Sequence, residues 1–167
     1  MSERVGIARP AAACVGQDNR TLSTLCILHV EDNLGDITVV RMLRDELFPN
    51  VTLHVATDAK EALRLLGYLS GSDSGSGLAV DLILLDMNMP GMDGLEFLAF
   101  PRPADHPPIC LLTTGSDSRI QSEALRLGAV ECWVKPADLD EYSDILRRVM
   151  ERWGTVEHSR SRHAEKA

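Results

Sequence analysis

The sequence lacks any run of apolar residues long enough to cross a membrane. It also lacks closely spaced cysteine pairs: the cysteines lie at positions 14, 26, 110 and 132, which excludes a zinc knuckle and a Cys-x-x-Cys redox motif. Three of them lie within apolar segments, where a thiol packs as a small hydrophobic group. This usage predicts a reducing compartment, the cytoplasm. Residues 1–24 have no continuous apolar segment, so we expect no secretory signal there.

Positive charge is also scarce. The chain has 17 Lys and Arg residues against 25 Asp and Glu residues, a formal net charge of −8. Residues 1–24 and 154–167 each carry +1, so residues 25–153 carry −10. A surface this acidic has no stripe for nucleic-acid phosphates, which argues against a direct nucleic-acid partner. It suits a basic protein partner or a divalent cation.

A phosphate-cradling loop is absent as well. Residues 70–77 alternate serine with glycine and aspartate, but they lack the Gly-Lys-Ser/Thr ending that such a loop needs. This segment is therefore predicted to be a solvated connector.

Short apolar segments alternate with amphipathic segments between residues 25 and 153. The predicted strands are Leu25–Val30, Thr52–Ala56, Leu82–Leu85, Ile109–Thr113 and Cys132–Val134. The predicted helices are Asp36–Phe48, Ala59–Leu69, a short helix from Gly94 that Pro101 ends, Asp117–Leu127 and Asp138–Trp153. This alternation predicts an α/β domain with a parallel sheet covered on both faces. We expect one domain at 25–153, a flexible arm at 1–24 and a polar tail at 154–167.

Polar residues follow four of the predicted strands. Glu31 and Asp32 follow the first, Asp86 follows Leu82–Leu85, Thr113 and Thr114 end the fourth, and Lys135-Pro136 follows the fifth. Because the carboxyl ends of parallel strands meet at one edge of a sheet, these side chains are expected to converge there.

The residue types at this edge indicate a particular chemistry. Three close carboxylates repel one another, and a hard cation such as Mg²⁺ compensates that repulsion. A carboxylate beside a cation can attack phosphorus, because the metal screens the approaching phosphoryl oxygens. An ammonium group and a hydroxyl nearby can bind the same oxygens.

The motifs Val30-Glu-Asp-Asn33, Leu85-Asp-Met-Asn-Met-Pro90, Met92-Asp-Gly94, Leu112-Thr-Thr114 and Val134-Lys-Pro136 resemble those of bacterial response regulator receiver domains. The resemblance implies a flavodoxin-like (βα)5 fold with strand order 2-1-3-4-5. It also implies that a sensor histidine kinase phosphorylates Asp86. Such a protein catalyses only its own phosphorylation and dephosphorylation, and it signals through altered contacts with a downstream protein.

The same resemblance assigns roles to the site residues. Asp32, Asp86 and the main-chain carbonyl of Asn88 would bind Mg²⁺ or Mn²⁺ directly, with Glu31 acting through water. Lys135 would bind the phosphoryl group, with its amine aimed inward by a cis bond to Pro136. Thr113 would bind a phosphoryl oxygen as the switch residue.

Other positions depart from the family pattern or receive structural roles. Thr114 stands where Ala or Gly is usual, and we expect it to narrow access to the site. Cys132 replaces the usual Tyr or Phe, so we expect the switch to act mainly through Thr113. His29 is predicted to pack in the core. Asp36 and Asp93 are predicted to be a helix-start charge and a turn residue.

The segment Trp133-Val-Lys-Pro136 and the Arg-Trp153 ending resemble single-domain regulators that partner bacterial phytochromes, so a bacteriophytochrome is a candidate kinase. Tyr142, Ile145, Met150 and Trp153 are predicted to spread too widely around the last helix to face one core. We therefore expect a homodimer with Trp153 as anchor.

Two other classes are weighed against this prediction. A pseudo-receiver would be an interaction module that never takes phosphate; the complete set of acids, threonine and lysine argues against it, whereas Cys132 favours it. A haloacid dehalogenase-type phosphatase also uses an Asp nucleophile after a strand. That class needs a second acid two residues later, where this chain has Asn88.

Overall fold

A computed structural model describes residues 25–69 and 77–153. Within these ranges strands and helices alternate as β1 (Cys26–Val30), α1 (Leu34–Leu47), β2 (Thr52–Ala56), α2 (Ala59–Leu65), β3 (Leu82–Asp86), α3 (Gly94–Ala99), β4 (Ile109–Thr113), α4 (Ser118–Arg126), β5 (Glu131–Val134) and α5 (Leu139–Trp153). The predicted arm, tail and most of the serine-glycine connector lie outside the described residues, so the domain boundaries stay predictions.

All five strands are parallel and form one sheet in the order β2-β1-β3-β4-β5. The predicted fold class and strand order are therefore confirmed. The register pairs Val30 with Leu85 and Asp86 with Leu112. This alignment brings the carboxyl ends of β1, β3 and β4 to the same edge of the sheet.

Capping residues explain where the helices differ from the predicted bounds. Helix α1 begins at Leu34, two residues early, because the Asn33 side chain accepts hydrogen bonds from the amides of Gly35 and Asp36. Helix α2 ends at Leu65, four residues early, and Gly67 then adopts a φ of +73°.

Helix α3 is short, as predicted. Asp93 and Glu96 form a capping box at its start, so Asp93 has a helix-capping role, and the helix ends two residues before Pro101.

The two faces of the sheet bury separate hydrophobic clusters. One cluster joins the sheet to α2, α3 and α4 through residues such as Leu63, Phe97 and Ala124. The other joins it to α1 and α5 through residues such as Val40 and Leu146. No helix within the described ranges combines the length and apolar character of a membrane-spanning segment.

The apolar face of α5 is almost entirely buried. Tyr142, Ile145 and Met150 are 4%, 7% and 8% exposed in the same cluster, and Trp153 packs against it. At 3.6 residues per turn these four positions span an arc of about 140°, which is an ordinary core-facing stripe. The prediction that they cannot all face one core is wrong, and the homodimer loses the surface from which it was inferred.

His29 is a fully buried polar residue in the centre of the sheet. It lies between Val55 of β2 and Leu84 of β3, and neither ring nitrogen has a hydrogen-bond partner among the described residues. Burial, together with the positive charges of Lys135 and Arg41, lowers the pKa of His29 to about 3. The histidine is therefore neutral and packs as a core residue, as predicted.

We predict that His29 makes the fold sensitive to acid. Since its pKa is lower in the folded than in the unfolded state, its contribution to stability falls as the pH drops below about 6.5. By pH 5 the loss amounts to about 2 kcal/mol. Urea unfolding of the wild type and of His29→Leu at pH 7.5 and pH 5 measures the free energy of unfolding that each protein loses between the two pH values. The variant is expected to lose less stability between the two pH values.

The same substitution at half-exposed His54 controls for loss of a histidine. An equal loss of stability in the wild type and His29→Leu would contradict the prediction.

Candidate functional site

An open pocket lies at the carboxyl edge of the sheet, where the loops after β1, β3, β4 and β5 meet the start of α1. Its lining consists of Glu31, Asp32, Asn33, Leu34, Gly35, Asp36, Asp86, Asn88, Thr114 and Lys135. Most of the residues predicted from the strand ends are therefore brought together.

Three carboxylates cluster in this pocket. Glu31 and Asp86 are 1% and 2% exposed, whereas Asp32 is exposed to solvent. One oxygen from each carboxylate lies within 4.8 Å of the others. Burial raises the pKa of Glu31, although its hydrogen bonds with Lys135 and the Asn33 amide oppose the shift. Close, partly desolvated carboxylates are suitable ligands for a hard divalent cation, so the donor set fits Mg²⁺ or Mn²⁺.

Lys135 contacts three of the four acids that line the pocket. Its Nζ lies 2.6 Å from Glu31 Oε2, 2.5 Å from Asp86 Oδ1 and 2.8 Å from Asp36 Oδ2. Burial alone would lower the pKa of Lys135, but the hydrogen bonds to Asp36, Asp86 and Glu31 outweigh it and raise the pKa above its ordinary value. The side chain is therefore a fixed positive charge beside Asp86.

The predicted cis bond between Lys135 and Pro136 is wrong, because no cis peptide bond occurs in the described residues. The Lys135 amide donates a hydrogen bond to the Thr113 carbonyl at 2.7 Å. This bond continues the pairing of β5 with β4 by one residue. It holds the lysine backbone at the sheet edge, from which the amine reaches the acids.

Two main-chain contacts position the loop after Asp86. The Asn88 amide donates a 2.7 Å hydrogen bond to Asp86 Oδ2, and the Gly94 amide donates one to the Met87 carbonyl. A Cβ on Gly94 would lie 2.9 Å from the Asp86 carbonyl oxygen, closer than packing allows. Glycine at this position therefore lets α3 begin directly against the loop. The metal-binding role of the Asn88 carbonyl stays a prediction.

The two threonines occupy different environments. Thr113 is 2% exposed, and its hydroxyl accepts a hydrogen bond from the Gly115 amide at 3.1 Å. Thr114 lines the pocket, and its hydroxyl accepts a 3.2 Å hydrogen bond from the Asn88 side chain. Thr113 thus lies next to the pocket without lining it, and its switch role stays a prediction.

Asp36 is the site residue that the sequence reasoning missed. It was predicted to be a helix-start charge, and it does lie in the first turn of α1, but it also binds Lys135 directly. A signal was present in the sequence. An acid in the first turn of the helix that follows Glu31-Asp32 must lie at the same sheet edge.

Cys132 lies away from the pocket. It is half buried on β5 and packs against the cluster beneath α2, α3 and α4, whereas the neighbouring Trp133 packs against the other cluster. The Trp133 indole donates a hydrogen bond to Glu131 at 2.8 Å.

Comparison with known proteins identifies relatives across the whole described domain. The family model of the response regulator receiver domain matches residues 27–147. The chain is 36% identical over 116 residues to the cyclic di-GMP phosphodiesterase response regulator RpfG of Xanthomonas campestris, covering 67% of this chain and 28% of the relative. It is 30% identical over 125 residues to sporulation initiation phosphotransferase F of Bacillus subtilis, covering 74% of this chain and 92% of that protein.

A solved structure of a response regulator also resembles this chain. The crystal structure of the phosphorylated cyanobacterial phytochrome response regulator RcpA matches with a TM-score of 0.68 and 26% identity. The match covers 78% of this chain and 94% of that one.

We predict that Asp32 contributes directly to cation binding. Replacing it with alanine removes the exposed member of the three-carboxylate cluster and should weaken Mg²⁺ binding at least about tenfold. Isothermal titration calorimetry measures the affinity. Asp45→Ala, which removes an exposed carboxylate from the same chain outside the pocket, is the matched control. A loss of affinity no larger than that of the control would rule Asp32 out as a ligand.

Proposed function

Because this chain belongs to the response regulator receiver family, we propose that Asp86 accepts a phosphoryl group from a sensor histidine kinase in a reaction that requires Mg²⁺ or Mn²⁺. The observation that carries the proposal is the environment of Asp86. It is buried at the end of β3, with Lys135 on one carboxylate oxygen and the Asn88 amide on the other.

The chemistry follows from this arrangement. An oxygen of Asp86 forms a bond to phosphorus while the bond from phosphorus to the histidine nitrogen breaks, and the electron pair stays on that nitrogen. Asp32, Asp86 and the Asn88 carbonyl would hold the cation, with Glu31 acting through water. When bound, the cation screens the charge of the phosphoryl oxygens. Lys135 supplies a second positive charge beside Asp86.

The threonines would respond to phosphorylation. The Thr113 hydroxyl accepts its bond from Gly115, so its proton is available for a phosphoryl oxygen. Thr114 and Asn88 are hydrogen-bonded at the pocket, and we expect this pair to narrow access. Since Cys132 stands in place of an aromatic switch residue, we propose that the signal passes mainly through Thr113 and the loop to Asp117.

The partners are inferred from relatives. RcpA is a phytochrome response regulator, which supports a bacteriophytochrome as candidate kinase. We propose that the phosphorylated protein acts by changing its contacts with a downstream protein. We also propose a cytoplasmic location, because Cys26, Cys110 and Cys132 are free thiols. The homodimer anchored by Trp153 stays a prediction, now without the exposed apolar face on which it rested.

Two competing functions fit the site less well. A pseudo-receiver would not need the charged contacts that hold Lys135 beside Asp86. A haloacid dehalogenase-type phosphatase needs a general acid two residues after its nucleophile. Here that residue is Asn88, whose amide group hydrogen-bonds Thr114.

We predict that Asp86 is the phosphorylated residue. Incubation with acetyl phosphate and Mg²⁺ should add one phosphoryl group, which intact-protein mass spectrometry detects. Asp86→Asn should abolish the addition, because the amide cannot act as the nucleophile. Asp45→Asn, the same change on an exposed face of α1, should label like the wild type. Equal labelling of Asp86→Asn would show that another residue accepts the phosphoryl group.

A further inference from the structure

The ammonium group of Lys135 contacts carboxylates from three different parts of the fold. An ammonium group has three N–H donors. Here it contacts Glu31 after β1, Asp36 in the first turn of α1 and Asp86 at the end of β3. The lysine side chain is 6% exposed, so little water reaches its ammonium group.

The three acids are not equivalent. Glu31 and Asp86 also belong to the carboxylate cluster that could hold a cation, together with Asp32. Asp36 does not belong to that cluster, although its oxygen lies 2.8 Å from Lys135 Nζ. Asp36 would therefore stay available to the lysine if a cation occupied Glu31 and Asp86.

The backbone of Asp36 is held in place by the cap of α1, whereas its partner Lys135 has a flexible side chain. The Asp36 amide donates a hydrogen bond to the Asn33 side chain at 3.2 Å, which fixes the first turn of α1. Its own side chain has only two rotatable bonds, whereas Lys135 has a flexible four-carbon stem. The helix therefore supplies a rigid anchor for an ammonium group at the end of a long side chain.

We propose that Asp36 is a positioning residue for phosphoryl transfer: it holds the Lys135 ammonium beside Asp86 while Glu31 and Asp86 engage the cation. The proposal deepens the proposed function and rests on it. Asp36 does not contact the phosphoryl group. It acts through Lys135, by keeping that donor in place for the incoming phosphoryl oxygen.

A double-mutant cycle tests whether Asp36 acts through Lys135. The rate of phosphorylation by acetyl phosphate is measured at saturating Mg²⁺ for the wild type, Asp36→Asn, Lys135→Met and the double variant. We expect Asp36→Asn to be about tenfold slower, as is typical for loss of a residue that orients a reacting group. In the Lys135→Met background the same change should have no further effect. Asp45→Asn on the same helix is the control for charge.

Two kinetic outcomes would overturn the proposal. If Asp36→Asn slows the reaction by the same factor with and without Lys135, then Asp36 acts independently of the lysine. If Asp36→Asn reacts at the wild-type rate, then the contact between Asp36 and Lys135 has no influence on phosphoryl transfer.

A second measurement does not depend on phosphorylation. Lysine occurs only at positions 60, 135 and 166, so the Lys135 ammonium can be assigned in nitrogen-detected NMR spectra by comparison with Lys135→Arg. We expect slow hydrogen exchange in the wild type and at least about tenfold faster exchange in Asp36→Asn, because a neutral amide replaces one of the three carboxylates around the ammonium group. Unchanged exchange would refute the anchoring role. If the wild type takes no phosphate but exchange still accelerates, the proposed function fails while the anchoring stands.

Discussion

The contact of one buried ammonium group with three carboxylates is the interaction on which the site depends. Glu31 and Asp86 are almost completely removed from water, and two such charges are tolerated only with a compensating positive charge. Lys135 supplies it from the end of β5. Truncating the lysine would therefore leave uncompensated acids in the core of the site. The contact with Asp36 extends this compensation to the first turn of α1.

The sheet topology makes that convergence possible. The acids follow β1 and β3, which are neighbours, while Lys135 comes from β5, separated from β3 by β4. Its long side chain spans that separation, and the hydrogen bond from its amide to the Thr113 carbonyl fixes its base. The helices on both faces keep β1, β3 and β4 buried, so the polar groups that face the pocket come from the carboxyl ends of the strands and from the start of α1. The hydrophobic clusters on the two faces of the sheet thus stabilise the domain, whereas the reactive groups lie at the edge where the strands end.

Much of this arrangement could be predicted from the sequence, because strand ends are local signals. The apolar runs before Glu31, Asp86 and Lys135 predict both the strands and the edge at which they meet. Three features were missed or mispredicted. Asp36 was missed because its role depends on how α1 is oriented above the sheet. The Lys135–Pro136 bond was mispredicted because the inward path of the amine is set by pairing with β4. The burial of Tyr142 and Met150 depends on packing against α1 and the sheet.

The closeness of the Glu31, Asp32 and Asp86 oxygens has a thermodynamic consequence for the whole molecule. Glu31 and Asp32 follow β1 whereas Asp86 ends β3, so the three oxygens come together only in the folded chain. A cation that binds it therefore draws the folding equilibrium toward the native state, by about 2.7 kcal/mol at a concentration one hundred times its Kd. For such a cation, folding and ion occupancy would be linked, and the concentration of the free cation would help determine how much of the protein is folded.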